Sequence, residues 1–316
     1  MLVIDRNNIS SFKDIDILTT AIDWQLDYFV EALFKLFPNL EYLRCRNQGL
    51  KELAGIEAFP KLRTLLCPNN QLTDISIIAA CPLLEKLDIS GNPVASIEAV
   101  TTMPHLHTLN IGCTSITSID VLQSCSSLRK LNCEANELGH LKVLRWLTLE
   151  VLDCKYTGVT TFRDMALCPS LRIIRCGGNH INDFKELGLM VNLKELYGRD
   201  NNMHELTGLN CTNLEVLDLA ANWIDSIVPI SACTKLRVIN FSQNIIPYLG
   251  PITSLPDLTD CNFSYNKLTS IEGVQHCSNL RIFNCRDNRI MSFKPILKLH
   301  LEKFYGLNNV VTCPSL

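Results

Sequence analysis

No apolar run in the 316 residues is long enough to span a bilayer, and neither sign of charge dominates. With 29 Lys and Arg against 32 Asp and Glu, the net charge of -3 leaves no basic footprint of the kind that marks nucleic-acid binding. The opening MLVIDRNNIS lacks the basic stretch, continuous apolar segment and small-residue cleavage site of a secretory signal. A cytoplasmic chain with reduced thiols is therefore expected, with the nucleus as the alternative compartment. The sequons at Asn8, Asn210, Asn240 and Asn262 carry no meaning in that setting. Catalytic signatures are missing as well. No H-E-x-x-H, G-x-S-x-G, G-x-x-x-x-G-K-S/T or G-x-G-x-x-G occurs, and no C-x-x-C pair offers a zinc site. His105 and His107 form an H-x-H near a repeat start, with no carboxylate at ligand spacing. No catalytic residue, metal or cofactor is expected.

What the chain does have is cysteine, fifteen residues of it, and a period. Leucines stand at 40, 62, 84, 106, 128, 149, 171, 193, 214, 236, 258, 280 and 301, always 21 or 22 residues apart. With the leading leucine as place one, each copy reads L-x-x-L-x-L-x-x-N-x-L, as in LEKLDISGNPV from Leu84 and LEVLDLAANWI from Leu214. Asparagine fills place nine in ten of the thirteen copies, and Gln48, Thr114 and Thr157 fill it in the others. This is the leucine-rich repeat signature. Places four and six point inward from a short strand and the residues between them point out. The place-nine amide is expected to satisfy backbone groups where the chain leaves the strand, a structural role. Apolar residues then recur near places 11, 14, 17 and 20, a three-residue spacing that predicts 3₁₀ or short helical returns.

The period accounts for the thiols. Cys45, Cys67, Cys133, Cys154, Cys176 and Cys285 sit at place six; Cys81, Cys125, Cys168, Cys211, Cys233 and Cys277 at place twenty; Cys261 at place four. These are core positions, where free cysteine behaves as a small hydrophobe. The alternative, disulfides between stacked neighbours such as Cys133 and Cys154, is sterically open but disfavoured in a reducing compartment. Cys113 and Cys313 fall outside the pattern, and Cys113, at place eight, reads as a surface thiol.

The ends depart from the period. LVIDRNNISSF is a partial repeat, with Leu2, Ile4, Asn7, Ile9 and Phe12 in frame. In and just before TTAIDWQLDYFVEALFKLFP, the residues Leu18, Ile22, Leu26, Phe29, Leu33 and Leu36 share one helical face, with Thr20 as N-cap and Pro38 as stop. This predicts an amphipathic helix of about four turns that shields the first repeats. The rival reading makes Trp24, Tyr28 and Phe34 a partner surface. The last copy stops after Val311, which predicts an open strand edge. The expected domains are residues 1–39, a partial repeat plus this helix, and 40–316, the repeat stack. The expected fold is an α/β solenoid: a right-handed horseshoe with a concave parallel β-sheet and a convex side of 3₁₀ or short helical segments.

The 22-residue length, the x-I-x-x-I rhythm and phrases such as NKLTSIEGVQHCSNLRIFNC resemble the leucine-rich repeat subclass typified by a nuclear regulator of protein phosphatase-1, over about residues 40 to 311. That resemblance implies a non-enzymatic protein that binds a phosphatase catalytic subunit on its concave face. Internalin-type bacterial repeats have the same length, and LTDISIIAACPLLEKLDIS is similar to them; they imply a pathogen adhesion or effector module instead. In both readings the partner is a protein. Its contacts are sought among outward strand residues, because the repeat places no apolar demand on them. Place five varies most in the middle, where Asp153, Arg175, Tyr197 and Asp218 follow one another. Lys155, Tyr156 and Arg199 lie beside them, and Trp223 stands at place ten. Gly177, Gly178, Ala220 and Ala221 are expected to remove bulk around Tyr197 and Arg199. Aromatics and arginine are the usual interface anchors. Asn240, Asn262 and Asn284, also at place five, are expected to bond to one another along the sheet.

Overall fold

The computed structural model describes residues 2–4, 20–25 and 36–311, which fall into two compact units, Met1–Thr157 and Gly158–Leu316. The first unit is a parallel sheet of eight short strands in chain order. They are β1 (Leu2–Ile4), β2 (Ala21–Trp24), β3 (Tyr42–Arg44), β4 (Thr64–Leu66), β5 (Lys86–Asp88), β6 (Thr108–Asn110), β7 (Lys130–Asn132) and β8 (Val151–Asp153). The register aligns place four throughout: Leu43 faces Leu65, Leu65 faces Leu87, and Leu87 faces Leu109. The second unit repeats the scheme with β9 (Ile173–Arg175), β10 (Glu195–Tyr197), β11 (Val216–Asp218), β12 (Val238–Asn240), β13 (Asp260–Asn262), β14 (Ile282–Asn284) and β15 (Lys303–Tyr305). Among the described residues the returns are 3₁₀ segments such as Glu98–Thr102 and Gly250–Ser254, with one four-residue helix, α1 (Arg163–Ala166). No helix among the described residues is long and apolar enough to cross a membrane.

One expectation is corrected at the N-terminal end. Ala21–Trp24 is strand, paired with Leu2–Ile4 on one side and Tyr42–Arg44 on the other, where a helix from Thr20 was expected. The register sets Ile22 opposite Leu43, so a further 21-residue copy starts at Thr19, with Ile22 at place four and Trp24 at place six. Alternation therefore overrides the helical period here: Ile22 and Trp24 are buried and Ala21 and Asp23 are half-buried. Trp24 is 1% exposed, so it fills the core and is not a partner surface. Residues 26–35, the rest of the expected helix with Tyr28 and Phe34, lie outside the described residues.

Place nine works as expected. In the first unit the Asn92 Nδ2 donates to Ile89 O (2.9 Å) in its own copy and to Cys67 O (3.0 Å) in the preceding one, while its Oδ1 accepts from Leu72 N (3.0 Å). Asn244 in the second unit does the same with Phe241 O, Leu219 O and Ile224 N. Thr157, fully buried, reproduces the contact within its own copy through a 2.7 Å bond to Cys154 O.

Among the described residues no disulfide joins the cysteines, and all are buried except Cys113, which is exposed; Cys313 lies outside those residues. At place twenty, or place nineteen in the 21-residue copy that holds Cys211, they do more than fill space. The thiols of Cys81, Cys125, Cys211 and Cys277 each donate to the place-17 carbonyl of the preceding copy: Ile56 O at 3.6 Å, Val100 O at 3.8 Å, Leu187 O at 3.2 Å and Ile252 O at 3.5 Å. A thiol is small enough for the position and, unlike leucine, offers a weak donor. Burial pushes Cys81 and Cys277 up to about 11 and Cys211 and Cys285 up to about 12, so they stay protonated and unreactive at neutral pH.

Candidate protein-binding surface

The outward row at place five has a structural function that the repeat pattern alone did not reveal. In eight copies it is Asp or Asn, and its side-chain oxygen accepts the backbone N–H two residues on. Ser90 N reaches Asp88 (3.0 Å), Gly112 N reaches Asn110 (3.1 Å), Glu134 N reaches Asn132 (3.0 Å) and Lys155 N reaches Asp153 (3.3 Å) in the first unit. In the second unit, Ala220 N reaches Asp218 (3.0 Å), Ser242 N reaches Asn240 (3.1 Å), Ser264 N reaches Asn262 (3.1 Å) and Arg286 N reaches Asn284 (3.3 Å). This is an Asx turn at the strand exit. It corrects the expectation for Asn240, Asn262 and Asn284, whose oxygens cap their own strands and also take the Ser242 and Ser264 hydroxyls at 2.8 Å. Local capping wins because the place-seven N–H points out of the ladder and has no neighbouring carbonyl.

The next place is equally constrained. Place eight is left-handed in every copy from Asn47 to Asn308, including Cys113 (φ 54°), Ala135 (φ 52°), Tyr156 (φ 53°), Ala221 (φ 53°) and Tyr265 (φ 56°). Residues other than glycine, asparagine and aspartate are strained there. The sequence carried a signal for this, since Asn, Asp or Gly fills place eight at 47, 69, 91, 178, 200, 287 and 308.

Among the copies from Leu40 on, four depart from the capping rule where place seven still has an N–H: those with Arg44, Arg175, Tyr197 and Tyr305 at place five. Leu66 is no exception, because Pro68 has no N–H to cap. Arg44 and Tyr305 belong to strands toward the ends of the described residues, whereas Arg175 and Tyr197 are adjacent within the second unit. Among the described residues no side chain caps the Gly177 or Arg199 N–H.

Asp153, Lys155 and Tyr156 belong to the first unit and the other five expected contact residues to the second. In the first unit the Lys155 ammonium lies 2.7 Å from Glu134 Oε2 and 3.4 Å from Asp153 Oδ2. Its bond to Glu134 holds the ammonium pKa up. Burial raises that of Asp153 despite Lys155. For Glu134 burial acts upward, but the bonds to Lys155 and Asn132 outweigh it and leave the carboxyl low. Tyr156 stands at 59% exposure on its left-handed residue.

In the second unit the Arg175 guanidinium sits 5.3 Å above the Tyr197 ring. Tyr197 donates its hydroxyl to Glu195 Oε2 at 2.9 Å; burial and that carboxylate both push the phenol up. Arg199 donates to Gln243 Oε1 at 3.3 Å, two copies along. Asp218 is occupied as the cap of Ala220. Trp223, 56% exposed, stacks on His204 with centroids 6.5 Å apart. The small residues do not clear a surface as expected. Ala220 is fully buried, and a Cβ on Gly177 would stand 2.9 Å from Arg199 O, so Gly177 is required by backbone packing. Glu134, Glu195, His204 and Gln243 were not singled out in the sequence; each lies two or three residues, one copy or two copies from the residue it contacts, apart from His204, which the 19-residue step to Trp223 hides. His107 has an acid within reach after all: its Nε2 is 3.7 Å from Glu85, one copy earlier.

The family model for two-copy leucine-rich repeats matches residues 38–80 and 60–102. No curated protein matches the sequence. Among solved structures, an internalin, inlF, from Listeria monocytogenes is 22% identical, with a TM-score of 0.80 over 85% of this chain and 81% of that one. A leucine-rich repeat protein of Leptospira interrogans is 21% identical, with a TM-score of 0.83 over 92% of this chain and 79% of that one. Toll from Drosophila, in complex with Spatzle, is 18% identical, with a TM-score of 0.76 over 92% of this chain and 44% of that one. The chain carries leucine-rich repeats and has the solenoid-type fold of that class; at these identities the similarity concerns the fold alone.

Proposed function

We propose that this leucine-rich repeat chain is a non-enzymatic scaffold that binds a partner protein through its outward strand face, anchored at Arg175, Tyr197, Arg199 and Trp223. The observation that carries the reading is the loss of the place-five cap at two neighbouring strands. Eight copies keep an Asp or Asn that caps the strand exit, and Arg175 and Tyr197 give that up for a stacked Arg–Tyr pair. Aromatic and arginine side chains are the residues that concentrate binding energy. Asp153, Lys155 and Tyr156 form a second contact group, and Asp218 borders the first. The complex of Toll with Spatzle supports a protein as the class of partner. A phosphatase catalytic subunit is the specific partner that the 22-residue repeat type suggests, in the cytoplasm or nucleus. An internalin-type adhesion or effector module is the second reading, supported by the match to the Listeria fold.

Affinity capture from lysate on the immobilised chain, read by mass spectrometry against Tyr197→Ala and Arg199→Ala variants, tests the proposal. A protein retained by the natural chain and lost by both variants is expected, and a phosphatase subunit among the retained proteins identifies the first version. Retention that both variants share, or no specific retention, refutes it.

A further inference from the structure

The place-two residues form a second row, at the strand entrances, and in it charges pair between neighbouring copies. Arg63 bonds Glu85, Lys194 bonds Glu215 at 2.8 Å, and Arg281 bonds Glu302 at 3.2 Å. Threonine interrupts this row at Thr259. Arg237, on one side of it, has no carboxylate within ion-pair distance among the described residues, because Glu215 is held by Lys194. Arg281, on the other side, keeps only its contact with Glu302, and both side chains are more than half exposed (66% and 59%), so that pair is weak. The gap is a cavity of about 670 Å³ within the second unit. Its walls are polar: the two guanidiniums, the hydroxyls of Thr259 and Ser278, and His300. Asp257 and Glu302 balance their charge.

We infer that this cavity binds a phosphate oxyanion between Arg237 and Arg281, beside Thr259, whose own hydroxyl is spent on Arg237 O (3.0 Å) and Asp260 Oδ2 (2.7 Å). Two guanidiniums suit a tetrahedral oxyanion, which accepts forked N–H donors from either side. The unpaired Arg237 is the primary anchor. A dianion displaces Glu302 from Arg281, whereas a monoanionic carboxylate gains less against the charge of Asp257. The volume exceeds that of phosphate alone and accommodates the ester-bearing group of a phosphorylated side chain or small metabolite. The cavity is separate from the Arg175–Tyr197 surface and does not depend on the function proposed for it.

Titration of the full chain with inorganic phosphate, O-phosphoserine and serine, followed by amide chemical shifts of Thr259, Ser278 and Arg281, distinguishes the sources. Saturable shifts with phosphate and O-phosphoserine but not serine are expected, stronger for the ester if a phosphorylated group is the natural ligand and equal if free phosphate is. Arg237→Gln should weaken binding at least 10-fold, Asp257→Asn should tighten it, and Arg63→Gln, in the paired part of the row, should leave it unchanged. Absence of saturable shifts at millimolar phosphate, or shifts that survive Arg237→Gln, would overturn the assignment. All three substitutions are at exposed positions, so the thermal midpoint verifies that the variants remain folded.

Discussion

Strands β11 to β14 and strands β9 and β10 belong to the same unit and share one core, yet their outward faces follow different rules. On the former, place five is Asp218, Asn240, Asn262 and Asn284, and every one of these side chains caps its own strand exit. On the latter it is Arg175 and Tyr197, stacked on each other and capping nothing. The inward faces do not differ: Ile174, Leu196, Leu217, Ile239, Cys261 and Phe283 are all buried at place four. The comparison separates what the repeat needs from what it allows. A position filled by Asp or Asn in copy after copy serves the backbone, and the neighbouring pair that departs from it is free for another purpose.

The largest effects should be common to both regions. Asn201→Ala and Asn244→Ala each strip bonds to carbonyls in two copies and leave them buried and unpaired, for about 3 kcal/mol apiece in chemical denaturation. A much smaller loss at Asn201 than at Asn244 would mean that the two regions differ inside as well as outside.

Alkaline pH should match or exceed these losses. The thiols of Cys211 and Cys285 stay neutral up to about 12 in the folded chain and ionise near 8.5 when unfolded. The unfolded state therefore loses protons first, and stability should be level below pH 8.5 and fall from there to about pH 12, by up to about 1.4 kcal/mol per pH unit for each thiol. Cys211→Ala should reduce that slope. In a Cys313→Ser background, Cys113 alone of the described thiols should react with a thiol reagent before unfolding.

The outward faces should separate at the next level. Asn262→Ala removes a cap and should cost about 1 kcal/mol, whereas Arg175→Ala should lie within about 0.5 kcal/mol of the natural chain. Equal losses at the two sites would erase the distinction. The smallest effect is a gain: Ala221→Gly relieves a left-handed alanine and should add about 0.5–1 kcal/mol in the same assay.

Much of this molecule was legible in its sequence because a period repeated many times averages out local ambiguity. The strands from Tyr42 onward, the asparagine ladder and the burial of the cysteines all follow from residues spaced 21 or 22 apart. The copy at Thr19 was not legible: its leading leucine is threonine, and Ile22 and Trp24 fit a helical face as well as a strand. The thiol bonds at place twenty were hidden because they join residues in different copies at a distance only coordinates give. The Asx caps were visible as a row of Asp and Asn, but their acceptor role depends on an unpaired N–H that only the turn geometry exposes. For the candidate surface, the sequence singled out Tyr197 and Arg199 for their size and charge, while the reason to prefer them, the missing cap beside each, came from the backbone.

The most direct test restores the cap where it is absent. In an Arg175→Asn/Tyr197→Asn chain, the new side chains should take up the Gly177 and Arg199 N–H groups. The account predicts a chain more stable to denaturant by about 1 kcal/mol that no longer retains the partner protein. A double variant that is less stable, or that still retains the partner at the natural level, would contradict it.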